Sequence, residues 1–379
     1  MKSRSSKTLN VVGKTIGILL LCLAAVAGAS AQTLPILGQV AIPANPSCPP
    51  YNNGYPSFYL TLNPTLNLIY VSGGFTGCQY VSVIDGSTCP INATGPCTFS
   101  IVPQVHIGSA ISVDIETENY WAPEVESGDV QIYSAPSNSP VDTVTTGYDP
   151  GEVAFDGKLR RMWVGAQNGH GNDPVFVFNA DTPFAKIAGP IGTGGVMGGG
   201  IAVNPVTGRC YVLAKINNVY VPEEVDPNTF LLTHTNFGIV FSIDAVADRI
   251  YAVSGTTLQI VNGAPNPEKI LKTKNLGYTP LFITVNNALD HIYLANTTTM
   301  PPTIEVRDNV SLQLVKSFPL PPGLSFDTGS AVDSLRGRLY VSLYVAPNGP
   351  EYVYAFEDLA TSGNCLSRGN SCGAGIGHH

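Results

Sequence analysis

The sequence predicts an all-β chain: a seven-bladed β-propeller of four-stranded antiparallel blades, with the last blade closed by the N-terminal strand. Three observations carry this. A short motif recurs seven times at nearly even spacing. The positions around it alternate between large apolar and small residues. The last copy lacks one strand that the N-terminus can supply.

The motif is an Asp or Asn followed seven positions later by an aromatic residue. The pairs are Asn63/Tyr70, Asp114/Trp121, Asp156/Trp163, Asn204/Tyr211, Asp244/Tyr251, Asn286/Tyr293 and Asp333/Tyr340. From Tyr70 to Tyr340 there are 270 residues in six intervals, a mean of 45. That is the length of a four-stranded propeller blade. Directly before the Asp/Asn stand Leu62, Val113, Phe155, Val203, Ile243, Val285 and Val332. One residue earlier stand Thr61, Ser112, Ala154, Ala202, Ser242, Thr284 and Ala331. This is period-two alternation, the mark of a strand, with the small face suited to crowding near an axis. The Asp/Asn starts a turn in which its side chain bonds nearby backbone N–H groups. The aromatic belongs to the next strand, where rings favour a pleated, half-buried surface.

A third strand follows in each unit, as in 81–85, 304–308 and 353–357, and units one to six add a fourth, as in 312–318. Unit seven runs instead into Gly-, Ser- and Asn-rich sequence. The segment 38–42 is the donor that would complete it, because an open ring exposes two strand edges.

The domain plan is a signal peptide over 1–31, the propeller over 32–360 and a tail over 361–379. Lys2, Arg4, Lys7 and Lys14 form a basic region ahead of an apolar stretch from Ile16 to Ala27, and Ala29-Ser30-Ala31 is an A-x-A cleavage site. The pattern is that of a secretory signal, and the stretch is shorter than the roughly 20 residues of a membrane span. Gln32 is the expected mature start, in a secreted or periplasmic location without membrane insertion.

The full chain has 19 Lys+Arg against 27 Asp+Glu. An acidic surface disfavours nucleic acid as a partner. Only 12% of residues are charged, while 39 are Gly and 30 are Pro. This suits many short buried strands joined by tight turns, and no long stretch has an apolar stripe at helical spacing.

Export favours disulfides. Cys89 with Cys97 and Cys365 with Cys372 each flank a turn-rich loop and are the preferred pairs; Cys48 with Cys78 remains, tying the closing segment to blade 1. Cys210 occupies the apolar position before an aromatic, so it is expected buried and unpaired, a small hydrophobe. Zinc is the rival use of these cysteines, but no C-x-x-C is present.

The segments Ile69-Tyr70-Val71-Ser72, Cys210-Tyr211-Val212 and Ile292-Tyr293-Leu294-Ala295-Asn296 resemble the repeat of the YVTN family of β-propellers. The resemblance covers nearly all of the mature chain and departs at Tyr120-Trp121 and in longer insertions of blades 1 to 3. It implies an exported bacterial protein, in which the acceptor-like Asn92, Asn296 and Asn309 carry no glycan. The family is similar in its repeats to lactonases, streptogramin lyases, cell-surface proteins and exported proteins of unassigned role, so the fold it implies is specific and the function is not.

Propellers bind ligands at the mouth of the central channel. Glu152 stands out there, because the equivalent positions hold Tyr59, Ala110, Gly200, Val240, Phe282 and Gly329. It is expected at the mouth beside Asp149 or Asp327, with His106 and Tyr278 as further candidates. A carboxylate cluster with a histidine would hold a divalent cation or exchange protons; the plainer reading is a solvated loop charge. His291 falls where other copies have Arg161, Arg209, Arg249 and Arg338, which points to a structural role. No H-E-x-x-H or G-x-S-x-G is present, and the run 194–200 lacks the Lys and Ser/Thr of a phosphate loop. The expected function is therefore a binding or scaffold protein for a protein, peptide or glycan, with no cofactor called for and oligomeric state left open. The alternatives are a metal-assisted lactonase- or lyase-like enzyme at the channel mouth and a structural envelope protein.

Overall fold

The structure is a computed structural model, and it describes residues 34–42, 57–73, 80–89, 97–105, 110–125, 127–264, 267–346 and 349–357. These form 28 strands in seven four-stranded antiparallel sheets. In six blades the strands follow chain order from the axis outward, as in blade 3, with Asp149–Asp156, Arg161–Gln167, Pro174–Asn179 and Lys186–Gly192. The first strands of successive blades contact one another around a complete circle, blade 7 meeting blade 1. They are the inner wall of the channel.

Blade 7 has Leu324–Asp333, Arg338–Val345 and Glu351–Glu357, and its outer strand is Ile36–Ala41. The N-terminal strand pairs antiparallel with the last one, Gln39 opposite Tyr354 and Val40 opposite Val353. The expected closure is present. Blade 1 also grips this strand, since the Cys97 N–H donates to the Leu37 carbonyl at 2.5 Å. Cys97 is joined to Cys89 as expected. Leu37, Ile42, Leu60, Ile69, Phe99, Tyr340 and Val353 share one buried cluster across the seam. Cys48, Cys78, Cys365 and Cys372, the signal segment and the tail lie outside the described residues. Cys210 is fully buried and free.

The repeated motif does two jobs. All seven Asp/Asn side chains are buried. Each turns its Oδ1 onto the backbone of its own turn: Asn63 accepts from Thr65 and Leu66, Asp156 from Lys158 and Leu159, Asp244 from Val246 and Ala247. The fifth residue of every turn then adopts a left-handed backbone: Asn67, Glu118, Arg160, Gly208, Asp248, Asp290 and Gly337, with φ between 48° and 78°. Two of these are glycine and three are Asn or Asp, which tolerate the conformation; on Glu118 and Arg160 the turn imposes it. The seven aromatics are buried between blades. The small inner positions let neighbouring inner strands approach, and Ser112 Oγ accepts the Phe155 N–H of the next blade at 3.0 Å.

Polar ties cross from blade to blade at the turns. Arg160 donates to both oxygens of Asp114 in the preceding blade, at 2.8 and 2.6 Å, and also to Asp181. Burial opposes the charge on Asp114, but this fork and the Thr117 hydroxyl hold its carboxyl below the ordinary range. Asn204 donates to Asp248 at 2.7 Å. Arg336 and Arg338 reach the Pro64 and Cys89 carbonyls of blade 1, each at 2.7 Å. His291 is buried at the equivalent arginine position.

Two outcomes follow. A Cβ on Gly38 would stand 2.5 Å from the Cys97 carbonyl and 2.7 Å from the Phe99 ring. Gly38→Val is expected to lower stability by about 1–3 kcal/mol, read as the denaturation midpoint; an unchanged midpoint would show that the seam is not packed in this way. Glu223, in the third strand of blade 4 (Val219–Val225), has no solvent exposure and meets His234 Nδ1 at 3.1 Å. Burial pushes its carboxyl up from 4.5 to about 6, against the pull of His234. The folded state therefore favours the proton, and this contribution is present below 4.5 and lost as pH rises through 6. Glu223→Gln is expected to gain on the wild type by about 2 kcal/mol between pH 4.5 and pH 8, measured by unfolding at both pH values.

Candidate functional site

The inner strands carry one set of equivalent residues, four positions before each Asp/Asn. It contains two polar side chains, Tyr59 of blade 1 and Glu152 of blade 3. They meet: the Tyr59 hydroxyl donates to Glu152 Oε1 at 2.9 Å. Blades 1 and 3 are not neighbours, so this bond runs across the channel.

Backbone irregularities aim these groups. The register slips between Pro150 and Glu152, between Ser57 and Tyr59, and between Met197 and Ile201. Bulges of this kind re-aim a side chain or swing backbone out of the ladder. In blade 4 the extra residues are Gly198, Gly199 and Gly200, and Gly200 has φ +91°. The glycine run thus bulges, and its Gly200 and Ile201 amides approach Glu152. Burial raises the Glu152 carboxyl above its ordinary value, against the lowering effect of the Gly200 amide, the Tyr59 hydroxyl and the Ile201 amide. Burial and Glu152 likewise push the Tyr59 hydroxyl well up. Among the described residues no basic side chain pairs with Glu152, and Oε2 is buried without a hydrogen-bond partner.

Beside this pair a cavity of about 250 Å³ opens between the inner halves of blades 4 and 5. Its walls include Ile201, Leu213, Pro222, Ile239 and Phe241, and Tyr59 reaches it from across the channel. Tyr211 lines it too and leads to a second polar cluster. The Tyr211 hydroxyl donates to Glu268 Oε1 at 3.0 Å, and Arg209 bridges Glu268 at 2.9 Å and Glu224 at 3.2 Å. Burial and the adjoining Glu268 carboxylate raise Glu224. One arginine thus bridges the two acids and ties blade 4 to blade 5.

The other expected residues lie apart in character. Asp149 is exposed at the start of the inner strand of blade 3, opposite Gln167. Asp327 lies in the register slip of the blade 7 inner strand, between Phe326 and Ser330, and accepts the Thr328 N–H at 2.7 Å. Tyr278 is buried, with its hydroxyl beside Glu305 and Arg307 in blade 6. Glu305 is itself gripped by Arg307 at 2.6 and 2.9 Å. His106 lies outside the described residues. Among the described residues no three His, Cys, Asp or Glu side chains gather as metal ligands. Tyr59 was named only as an equivalent of Glu152; its place in the same set is the signal that finds it.

Tyr59→Phe removes a donor that favours charged Glu152 and leaves Oε1 short of a partner. The variant is expected to lose about 1–2 kcal/mol and to lose more at pH 8 than at pH 5, because the raised carboxyl is then forced to ionise with less support. Equal losses at both pH values would show that the bond does not bear on the charge.

No family model matches the chain, and no curated protein matches it in sequence. Among solved structures, a chain of the "Crystal Structure of Mitotic Checkpoint Complex" is similar over 94% of this chain and 96% of that one, with TM-score 0.62 and 11% identity. At that identity the similarity is one of fold: the chain is a seven-bladed β-propeller.

Proposed function

We propose that the chain is an exported bacterial propeller of the YVTN type that acts as a binding protein, with its recognition site in the channel where blades 4 and 5 meet. One observation carries this reading. A closed ring holds a largely apolar slot of about 250 Å³ whose lining includes Tyr59, the hydroxyl of which donates to Glu152. Small-molecule sites are concave, mostly apolar and fixed in orientation by a few polar groups, in volumes of roughly 300–1,000 Å³. The slot stands just below that range, which suits one ring with a short arm or a single side chain of a protein or peptide. The signal pattern and the Cys89–Cys97 disulfide support an oxidising compartment outside the cytoplasm.

The test is native mass spectrometry and thermal melting of the mature protein purified without chelators. A bound organic molecule or peptide, or a melting shift on adding one, is the expected result, and Leu213→Trp, which fills the slot, should abolish it. A stoichiometric divalent metal whose removal by EDTA lowers the melting temperature would instead move the assignment to the metal-assisted enzyme.

A further inference from the structure

The walls of the slot between blades 4 and 5 carry no charge, and the acids behind them are bonded elsewhere. We infer that the slot takes an uncharged ligand built on a single ring, and that Glu152 positions the walls without touching that ligand. This rests on the binding reading above and narrows it to a class of ligand and a positioning residue.

The lining sets the class. Among the described residues that line the slot, none has a carboxyl, amine or guanidinium group. The walls are the rings of Tyr59, Tyr211 and Phe241 with aliphatic groups such as Ile201, Leu213 and Ile239. A tyrosine hydroxyl has one proton to give, and both tyrosines give theirs to acids: Tyr59 to Glu152 and Tyr211 to Glu268. An anionic ligand therefore finds no side-chain donor in these walls. The acids are closed to a cation as well. Glu268 is bridged by Arg209 at 2.9 Å, and Glu152 is buried against Tyr59 and the Gly200 and Ile201 amides. A charge of either sign would lose its water and meet no countercharge, which costs far more than burying a hydroxyl. An apolar ring gains by leaving water and by packing edge-on or offset against the wall rings. An apolar cavity of about 150 Å³ holds benzene, so about 250 Å³ holds a ring with a short arm.

The position of the walls depends on Glu152. Tyr59 comes from blade 1, and Gly200 and Ile201 come from blade 4. All three line the slot, and all three meet the Glu152 carboxyl of blade 3. The stretch around Gly200 has little else to fix it. Its ladder slips between Met197 and Ile201, and a Cβ on Gly200 would meet nothing within 4 Å. Glu152 therefore sets the distance between walls that come from opposite sides of the channel.

The test uses three probes of one shape on the mature protein: benzyl alcohol, benzylamine and benzoate, by calorimetry at pH 8. Benzyl alcohol is expected to bind about tenfold or more tighter than either charged probe. Leu213→Trp should remove its binding. Glu152→Ala, shown to be folded by its melting transition, should weaken benzyl alcohol about tenfold, while Glu152→Gln, whose carboxamide oxygen still accepts from Tyr59, should stay within about threefold of the wild type. The preference for benzyl alcohol over benzylamine should be the same in Glu152→Gln as in the wild type, a readout that a residue touching the ligand would shift. Should Glu152→Ala fail to fold, the Glu152→Gln comparison decides. A charged probe that binds as tightly as benzyl alcohol overturns the uncharged class and leaves the slot a binding site. Unchanged binding in folded Glu152→Ala, or a changed preference in Glu152→Gln, overturns the positioning role. If no probe binds to a folded wild-type protein, the ligand class is overturned, and the separate recovery of a co-purified ligand decides the wider reading. Binding that survives Leu213→Trp places the ligand elsewhere and overturns the site.

Discussion

Closure of the ring is the constraint on which the rest of the structure depends. A blade sheet carries two edges, and its large faces are buried only against neighbours. Seven blades satisfy the faces only if the seventh meets the first. Here the meeting is made by chain ends far apart in sequence, with Ile36–Ala41 laid along Glu351–Glu357. The Cys89–Cys97 loop of blade 1 then clasps that strand through the Leu37 carbonyl and the close approach at Gly38. The disulfide closes a short loop, so it acts locally, holding the clasp in the form that receives the strand.

Within the ring, the same turn is used seven times and then used differently in each blade. The buried Asp or Asn fixes the turn, and the turn forces the fifth residue into a left-handed backbone. At Arg160, Asp248 and Gly208 this fifth position faces the preceding blade. Arginine there reaches back to Asp114, aspartate receives Asn204, and glycine at 208 lets Leu159 and Asp156 come close. Among the buried acids of the seams, Asp114 meets Arg160 and Glu268 meets Arg209, while burial and Glu268 raise Glu224. Such matching is what burial demands, since an unpaired buried charge costs far more than a satisfied one.

Against that background the channel is the exception. The positions four before each Asp/Asn are mostly apolar or glycine, and the Glu152 carboxylate among them is supported by neutral donors. The bulges that place Glu152, Tyr59 and the glycine amides together also open the slot between blades 4 and 5.

The sequence alone determined the number of blades, the strand that closes the last one, the Cys89–Cys97 pair and the burial of Cys210. The cysteine pair follows from its short turn-rich loop and the rest from periodicity: a motif in fixed register states which positions are buried and which unit is missing a strand. It also singled out Glu152 as an anomaly among its equivalents. Tertiary structure alone decided what Glu152 meets. Tyr59 lies 93 residues away, in a blade that is not adjacent. Register shows that both hold equivalent positions, but whether they touch depends on the width of the ring and on bulges that displace each strand by a residue or more. The same holds for Tyr278, whose loop position suggests the mouth and whose hydroxyl lies beside the Glu305–Arg307 pair. Local pattern fixes direction, and distance across the ring is set only when all seven blades are packed together.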